Sequence, residues 1–394
     1  MLILHLIDSL SPERGGPPES VRQIVKAHIA VGTNVEVVCL DHPDEDFLRE
    51  ISCPVHALGE SFLGRYAFSP QVWRWLNENL YRFDGIVMHG IWSFPNIALR
   101  VAARRARKSY GVFVHGALDP WFNRKYPLKY LKKLMYWPWQ YLVLHSASAV
   151  FFTSELERDL ASTSFWPNVW NSIVIPYGVS DPEGNGSDPR SQTEAFYRLF
   201  PRLRGRRYLL FLGRLHEKKG CDLLVEAFAQ TVTVVPDLDL LMAGPDPDGM
   251  QAKLASRTSR LGVSGRVHWT GMIGGDIKWG ALRTCEAFVL PSHQENFGIS
   301  VVEALAVGRP VLISNQVNIW HEIETDGVGL IGEDTLEGTA NLLRRWFETP
   351  PVEREAMAGR ARPCFLNRFT MNRAAAAIRD HFAASSAEDS AASS

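Results

Sequence analysis

The sequence predicts an α/β protein made of two doubly wound parallel-sheet domains, and three observations carry that prediction. Short apolar runs alternate with helical segments of about a dozen residues, the pattern of repeated βαβ units. The alternation breaks at a polar, Gly- and Pro-rich stretch, SDPEGNGSDPRSQ (180–192), and then restarts. A chain of 394 residues has room for two domains of ordinary size.

In the first half, Leu2–Ile7 and Val35–Leu40 read as strands, with an amphipathic helix, Glu19–Val31, between them. Strands follow at Gly85–His89, Val112–His115, Ala149–Thr153 and Ser172–Ile175. A short helix near Glu194–Phe200 falls in the connection. The pattern resumes with strands at Tyr208–Leu212, Leu238–Ala243, Val267–Trp269, Ala287–Pro291 and Pro310–Ile313, and a helix at Asp222–Gln230. Runs such as AFVLP show no in–out alternation, as expected of strands covered on both faces. The expected boundaries are a first domain over 1–180, a linker over 181–206 and a second domain over 207–368. A C-terminal helix over 369–385 should return to the first domain. The tail 386–394 lacks apolar residues to bury and should be disordered.

The composition, 46% hydrophobic and 22% charged, is that of a soluble globular protein. Five scattered cysteines without CxxC spacing suit a reducing compartment and no zinc site. No apolar run is long enough to span a bilayer. The start, MLILHLIDSL, has no basic region or cleavage site and reads as a first strand, so a cytoplasmic location is expected. Asp44–Glu45–Asp46 and Asp246–Pro247–Asp248 read as solvated acidic turns, and no Ser-His-Asp set or P-loop lysine is present. Neither a metal nor a cofactor is expected.

Charge is uneven. Between Gly85 and Ser154 ten bases face a single acid, Asp119; the segment is +9 in a chain of net −1, which leaves −10 elsewhere. A nucleic-acid groove could have this balance. However, WFNRKYPLKYLKKLMYWPWQYLVL interleaves Arg124, Lys125, Lys129, Lys132 and Lys133 with Trp, Tyr and Leu, the composition of a helix in a membrane interface. Peripheral attachment of this basic aromatic segment (100–145) to an anionic surface is the reading preferred here. A buried helix with a basic edge is the alternative, and nucleic acid is not expected.

The most informative stretch is PSHQENFGISVVEALAVGRPVLIS (291–314). Glu295 lies in the loop after a strand and Glu303, eight residues on, inside the next helix, with Asn296–Phe297–Gly298 between. Gly298 and Ile299 mark the helix start. At the carboxyl ends of parallel strands, such helix starts offer free N–H groups to a ligand. Two carboxylates there suit a polyhydroxylated, phosphate-bearing ligand, although a solvated pair has the same spacing. After the strand YLLFLG, Gly213–Arg214 and Lys219–Gly220 place two cations at a flexible turn, as a diphosphate requires. Near the start, Arg14–Gly15–Gly16 can bring backbone N–H groups close to a phosphate, but without the spacing of a nicotinamide site. His89 and His115 both end strands and could serve a ligand or the core.

Taken in order, RGGPPESV, FVHGALD, IPYGV, LGRLHEKKGCDLLVEAFA, LMAGPD and the E-x7-E of Glu295 and Glu303 resemble the retaining glycosyltransferases of family 4, group 1, which have the GT-B fold. The resemblance runs from about Leu2 to Ala374. It implies two Rossmann-like domains facing a central cleft, the second binding a UDP- or GDP-sugar donor and the first an acceptor. Arg214 and Lys219 would bind the diphosphate and stabilise the leaving group. Glu295 would contact the transferred sugar, with N–H groups of Phe297 and Gly298, and Glu303 would hold the ribose. Gly213, Asn296 and Ile299 would flank these positions. Gly15 and Gly16 would lie by the phosphates, and His115 would hydrogen-bond the sugar from the opposing domain. Reaction on one face would need no metal and no covalent enzyme nucleophile.

HGALDPWF, YPLKYLKK, HQENFGI and VNIWHEI resemble bacterial enzymes of exopolysaccharide, capsule or O-antigen (lipopolysaccharide) assembly. Such enzymes extend a polyprenyl-diphosphate-linked oligosaccharide at the inner membrane face. His89, Asp119 and the bases Arg124 to Lys133 would then serve the acceptor or the membrane. Two departures are Tyr177, where Asn is usual, and Gly116, where many relatives carry Asp. The expected function is a metal-independent, retaining glycosyltransferase acting on a lipid-linked glycan. A soluble acceptor such as a sugar phosphate, or a non-catalytic nucleotide-sugar-binding regulator, is the alternative.

Overall fold

The structure, a computed structural model, describes residues 1–59, 61–184, 186 and 188–392. The chain divides into two compact units, Met1–Ser180 with Met371–Ser394, and Asp181–Thr370.

The first unit runs β1 (Leu2–Ile7), α1 (Gly16–Ala30), β2 (Asn34–Cys39), β3 (Val55–Ala57), α2 (Pro70–Asn79), β4 (Gly85–His89), α3 (Phe94–Ala106) and β5 (Tyr110–Phe113). It continues with α4 (Pro120–Lys125), α5 (Pro127–Ser146), β6 (Ala149–Phe152), α6 (Glu155–Ala161) and β7 (Ser172–Val174). The strands form one seven-stranded sheet in the order β3-β2-β1-β4-β5-β6-β7, with parallel pairing throughout. Pro17 and Pro18 sit in the first turn of α1, where a missing N–H costs nothing. Leu4, Leu6, Ile86, Met88 and Val112 are fully buried in a core shared with α2 and α3.

The second unit runs α7 (Pro189–Leu199), β8 (Arg207–Leu212), α8 (Cys221–Thr231), β9 (Leu238–Ala243), α9 (Met250–Arg260), β10 (Val267–Gly271) and α10 (Gly275–Thr284). β11 (Ala287–Leu290), α11 (Ile299–Ala306), β12 (Val311–Ser314), α12 (Trp320–Thr325), β13 (Gly329–Gly332), α13 (Leu336–Glu348) and α14 (Pro351–Arg368) follow. Its sheet is six-stranded and parallel, β10-β9-β8-β11-β12-β13. The last helix, α15 (Met371–Ala392), returns to the first unit and packs on α1. Its Phe382 ring occupies the space a side chain at Gly85 would fill.

Three expectations change. Residues 181–206 belong to the second unit and are not a separate linker: the helix expected near 194–200 is α7, which lies against α10, whose Gly280 admits the Gln192 backbone and Phe196. Strands β3 and β13 were not foreseen. Helix α15 runs to Ala392, beyond the bound at 385, because Ala and Glu prolong a helix even with no apolar face to bury; Ser393 and Ser394 lie outside the described residues.

Candidate functional site

Strand order fixes where a ligand can sit in the second unit. From β8 the sheet grows one way through β9 and β10, and the other way through β11, β12 and β13. The connections leaving β8 and β11 therefore diverge from adjacent strand ends and open a crevice at the topological switch point. Gly213, Arg214 and Lys219 are on the first connection; Glu295, Asn296, Phe297 and Gly298 are on the second.

The two connections interlock through backbone. His293 N–H donates to the Lys218 carbonyl at 2.8 Å, and Ser292 Oγ donates to the same carbonyl at 2.9 Å. Gly220 has φ of +65°, and a Cβ there would overlap the Pro291 carbonyl. Only glycine satisfies both demands. On the far side, Gly213 N–H donates to Ala243 O at 2.9 Å and Leu215 N–H to Pro245 O at 2.9 Å. Arg214 is thus pinned by its neighbours while its own side chain is exposed. Glu295 N–H donates to Gln316 O at 2.9 Å, and its carbonyl accepts from Asn318 N–H at 3.0 Å.

With the backbones fixed, the Lys219 ammonium donates to Glu295 Oε2. Burial, then the nearby charges of Lys218 and Arg214, lowers the Lys219 pKa to about 7. The Glu295 carboxylate works against that and favours the charged ammonium. Arg214 and Lys219 are therefore cations held close together against repulsion, an arrangement that an anion would relieve. Beyond Glu295, Gly298 caps α11 with φ of +76°, and the free N–H groups of the first turn point out of the helix start. Phe297 is buried, with its ring edge-on to Phe369 at 5.9 Å. One turn further in, Glu303 is only 5% exposed, and Lys278 Nζ donates to its Oε1 at 2.6 Å. Sequence reading missed Lys278, which lies on α10 and meets Glu303 only because α10 packs on α11.

In the first unit, Gly15 and Gly16 open α1 after β1. His89 ends β4, and His115 follows β5 with φ of +48°, a left-handed backbone uncommon outside glycine. That bend ends the strand at Phe113, two residues earlier than expected. Glu157 was not foreseen either. Its buried carboxylate accepts from Gly116 N–H (2.6 Å), Thr153 N–H (2.6 Å) and Thr153 Oγ1 (2.7 Å), and so ties the His115 loop to β6. Asp119 caps α4, accepting from Trp121 N–H at 2.8 Å.

Helix α5 is two-faced in an unusual way. Trp137, Gln140, Val143 and Leu144 are buried, yet Leu128 (82% exposed), Leu131, Met135 (79%) and Trp139 (61%) form a stripe facing solvent. Arg124, Lys125, Lys129 and Lys132 are exposed beside it. Lys133 departs from the expected outward row: it is part-buried, its ammonium 5.1 Å from the centre of the Trp92 ring. Among the described residues no helix is long and apolar enough to cross a membrane.

Two doubly wound parallel-sheet units in one chain form the GT-B architecture, and the protein is a glycosyltransferase. Two family models match it: "Glycosyl transferases group 1" over residues 200–362, and "Glycosyl transferase 4-like domain" over 15–178. The chain belongs to the group 1 glycosyltransferases. It is 24% identical over 353 residues to a GDP-mannose:cellobiosyl-diphosphopolyprenol alpha-mannosyltransferase of Xanthomonas oryzae pv. oryzae, covering 86% of each chain. To a D-inositol 3-phosphate glycosyltransferase of Actinosynnema mirum it is 28% identical over 232 residues, covering 56% of this chain and 53% of the relative. The crystal structure of Anabaena HepE in complex with UDP superposes with a TM-score of 0.78 at 20% identity, covering 98% of this chain and 100% of that one. That likeness is one of fold.

Proposed function

We propose that this chain moves a sugar from a UDP- or GDP-sugar to a lipid-linked glycan at a membrane surface, with retention of anomeric configuration. The observation carrying the donor half is the junction of Arg214, Lys219 and Glu295 beside the N-terminus of α11. Arg214 and Lys219 take the diphosphate and stabilise the departing nucleotide. Glu295 turns from Lys219 to the transferred sugar, the N–H groups of Phe297 and Gly298 assist, and Glu303 holds the ribose hydroxyls. His115 hydrogen-bonds a sugar oxygen, and Gly15 and Gly16 serve the phosphates. No metal or cofactor takes part. A thermal-shift panel of nucleotide sugars tests this half: the natural donor should raise the melting temperature, and no response to any of them would count against it.

The acceptor half rests on α5. An exposed apolar stripe beside a row of bases matches a lipid surface better than a phosphate backbone, which would leave Leu128 and Met135 uncovered. Each base near an anionic bilayer contributes about 1 kcal/mol. The enzyme would attach peripherally to the inner face of the cell membrane, where the Xanthomonas relative's named substrate, a diphosphopolyprenol, also suits the surface. Flotation with anionic vesicles tests it, using wild type and Leu131→Asp with Met135→Asp. Loss of flotation in the variant supports the reading; a wild type that never floats favours a soluble acceptor, as in the name of the Actinosynnema relative.

A further inference from the structure

A file of histidines crosses the first unit from α1 through β1 and β4 to the loop after β5. His5 Nδ1 lies 2.9 Å from His89 Nε2, and His89 Nδ1 lies 3.1 Å from His115 Nε2. The rings of His5 and His28 are 5.2 Å apart. His5 and His28 are fully buried and His89 nearly so, whereas His115, at the strand end, is only part-buried. Burial, reinforced at His5 and His89 by neighbouring imidazoles, depresses the pKa of all four, so the rings are neutral at neutral pH.

A neutral imidazole carries one N–H and one lone pair, so two consecutive contacts permit only two proton orders. In the first, His5 donates from Nδ1 to His89 Nε2, His89 donates from Nδ1 to His115 Nε2, and His115 keeps its proton on Nδ1. In the second, every proton is reversed: His115 has a bare Nδ1, and His5 carries its proton on Nε2. The buried end decides between them. His5 Nε2 is shielded from solvent, with no hydrogen-bond partner among the described residues. The second order would strand an N–H there; the first strands only a lone pair. Orphaned buried N–H groups are the rarer. The Tyr177 hydroxyl, 3.4 Å from His89 Nδ1, can donate or accept and fits either order.

We propose that His5 and His89 are positioning residues that fix His115 as its Nδ1–H tautomer, so that His115 offers a hydrogen-bond donor to an oxygen of the transferred sugar. The ligand part rests on the role given to His115 under Proposed function; the tautomer part does not.

Nitrogen-15 NMR of the full chain, labelled at histidine and assigned by single variants, reads the tautomers directly without substrate. Protonated Nδ1 and bare Nε2 are expected at His5, His89 and His115. His5→Asp puts a carboxylate, which only accepts, opposite His89 Nε2; above the imidazole range it should draw the His89 proton there, reverse the order and leave His115 protonated at Nε2, while kcat/KM falls about tenfold, the worth of one hydrogen bond. His5→Asn, whose amide can donate to His89 from the same place, should keep most of both the Nδ1–H tautomer and kcat/KM. A wild-type His115 protonated at Nε2, or a His115 tautomer unmoved in His5→Asp, overturns the proposal. Should His5→Asp fail to fold, the wild-type spectrum alone decides. An Nδ1–H tautomer together with unchanged donor affinity and turnover in His115→Ala would uphold the proton order and remove the sugar contact.

Discussion

Lys219 and Glu295, 76 residues apart in sequence, meet across the junction of β8 and β11, the ammonium of one donating to the carboxylate of the other. Each thus holds the other in place at the point where a phosphate-bearing ligand and its sugar would be divided.

Removing either cation should therefore affect chemistry more than folding. Arg214→Ala and Lys219→Ala are each expected to lower kcat by about 100-fold or more, the usual effect of deleting a donor to a developing charge. Steady-state kinetics with the natural donor, alongside circular dichroism to show the fold intact, checks this. Near wild-type turnover in either variant would remove that residue from the leaving-group role.

The Lys219 pKa, lowered to about 7 by burial and neighbouring cations, gives a pH prediction. In the role proposed for Lys219 the charged form is the working form, so kcat/KM, which reports the free enzyme, should fall as pH rises above that value. Glu295 moves the limb upward, and Lys219→Arg should move it further. The stability effect has the opposite sense. Between the folded pKa and the unfolded value near 10.4 the unfolded chain binds more protons, so this group's contribution to stability rises with pH across that window. A pH–rate profile together with urea titrations at several pH values tests both.

Gly220→Ala should cost about 1–3 kcal/mol, because it forces a side chain into a left-handed turn against the Pro291 carbonyl. Urea denaturation measures the loss. Gly249→Ala, also at positive φ but with open space around it, is the control that lacks the clash.

Glu303→Ala should weaken nucleotide binding by roughly ten- to a hundredfold, since hydrogen bonds to a charged group are worth about 1.5–3 kcal/mol. The kcat at saturating donor should change far less. Lys278→Ala should weaken binding by a smaller factor, by releasing the Glu303 carboxylate from its 2.6 Å contact. Calorimetry with the free nucleoside diphosphate separates the two, and unchanged affinity in Glu303→Ala would sink the ribose role.

The fold was largely legible because buried parallel strands advertise themselves: LILHLI, YLLFLG and AFVLP need no partner to be recognised. Val55–Ala57 and Gly329–Gly332 escaped since each is a short edge strand with little apolar sequence. Gly213, Arg214, Lys219, Glu295 and Glu303 could be read because they adjoin strand ends and helix starts, features that local pattern carries. Lys278, Glu157 and His5 could not. Their significance lies in partners 25, 41 and 84 residues away, a relation that exists only after the sheets are assembled. Residues 181–206 look like a linker until Gly280 shows that another helix is seated there.

The return of α15 to the first unit has a consequence for biosynthesis. Residues 181–370 emerge from the ribosome between the first unit's sheet and its final helix. The unit begun first is thus finished last: α1 and Gly85 wait, uncovered, while the whole of the other unit is translated and free to fold. A nascent chain arrested short of residue 371 would already hold the Arg214–Lys219–Glu295 junction but not a complete first unit.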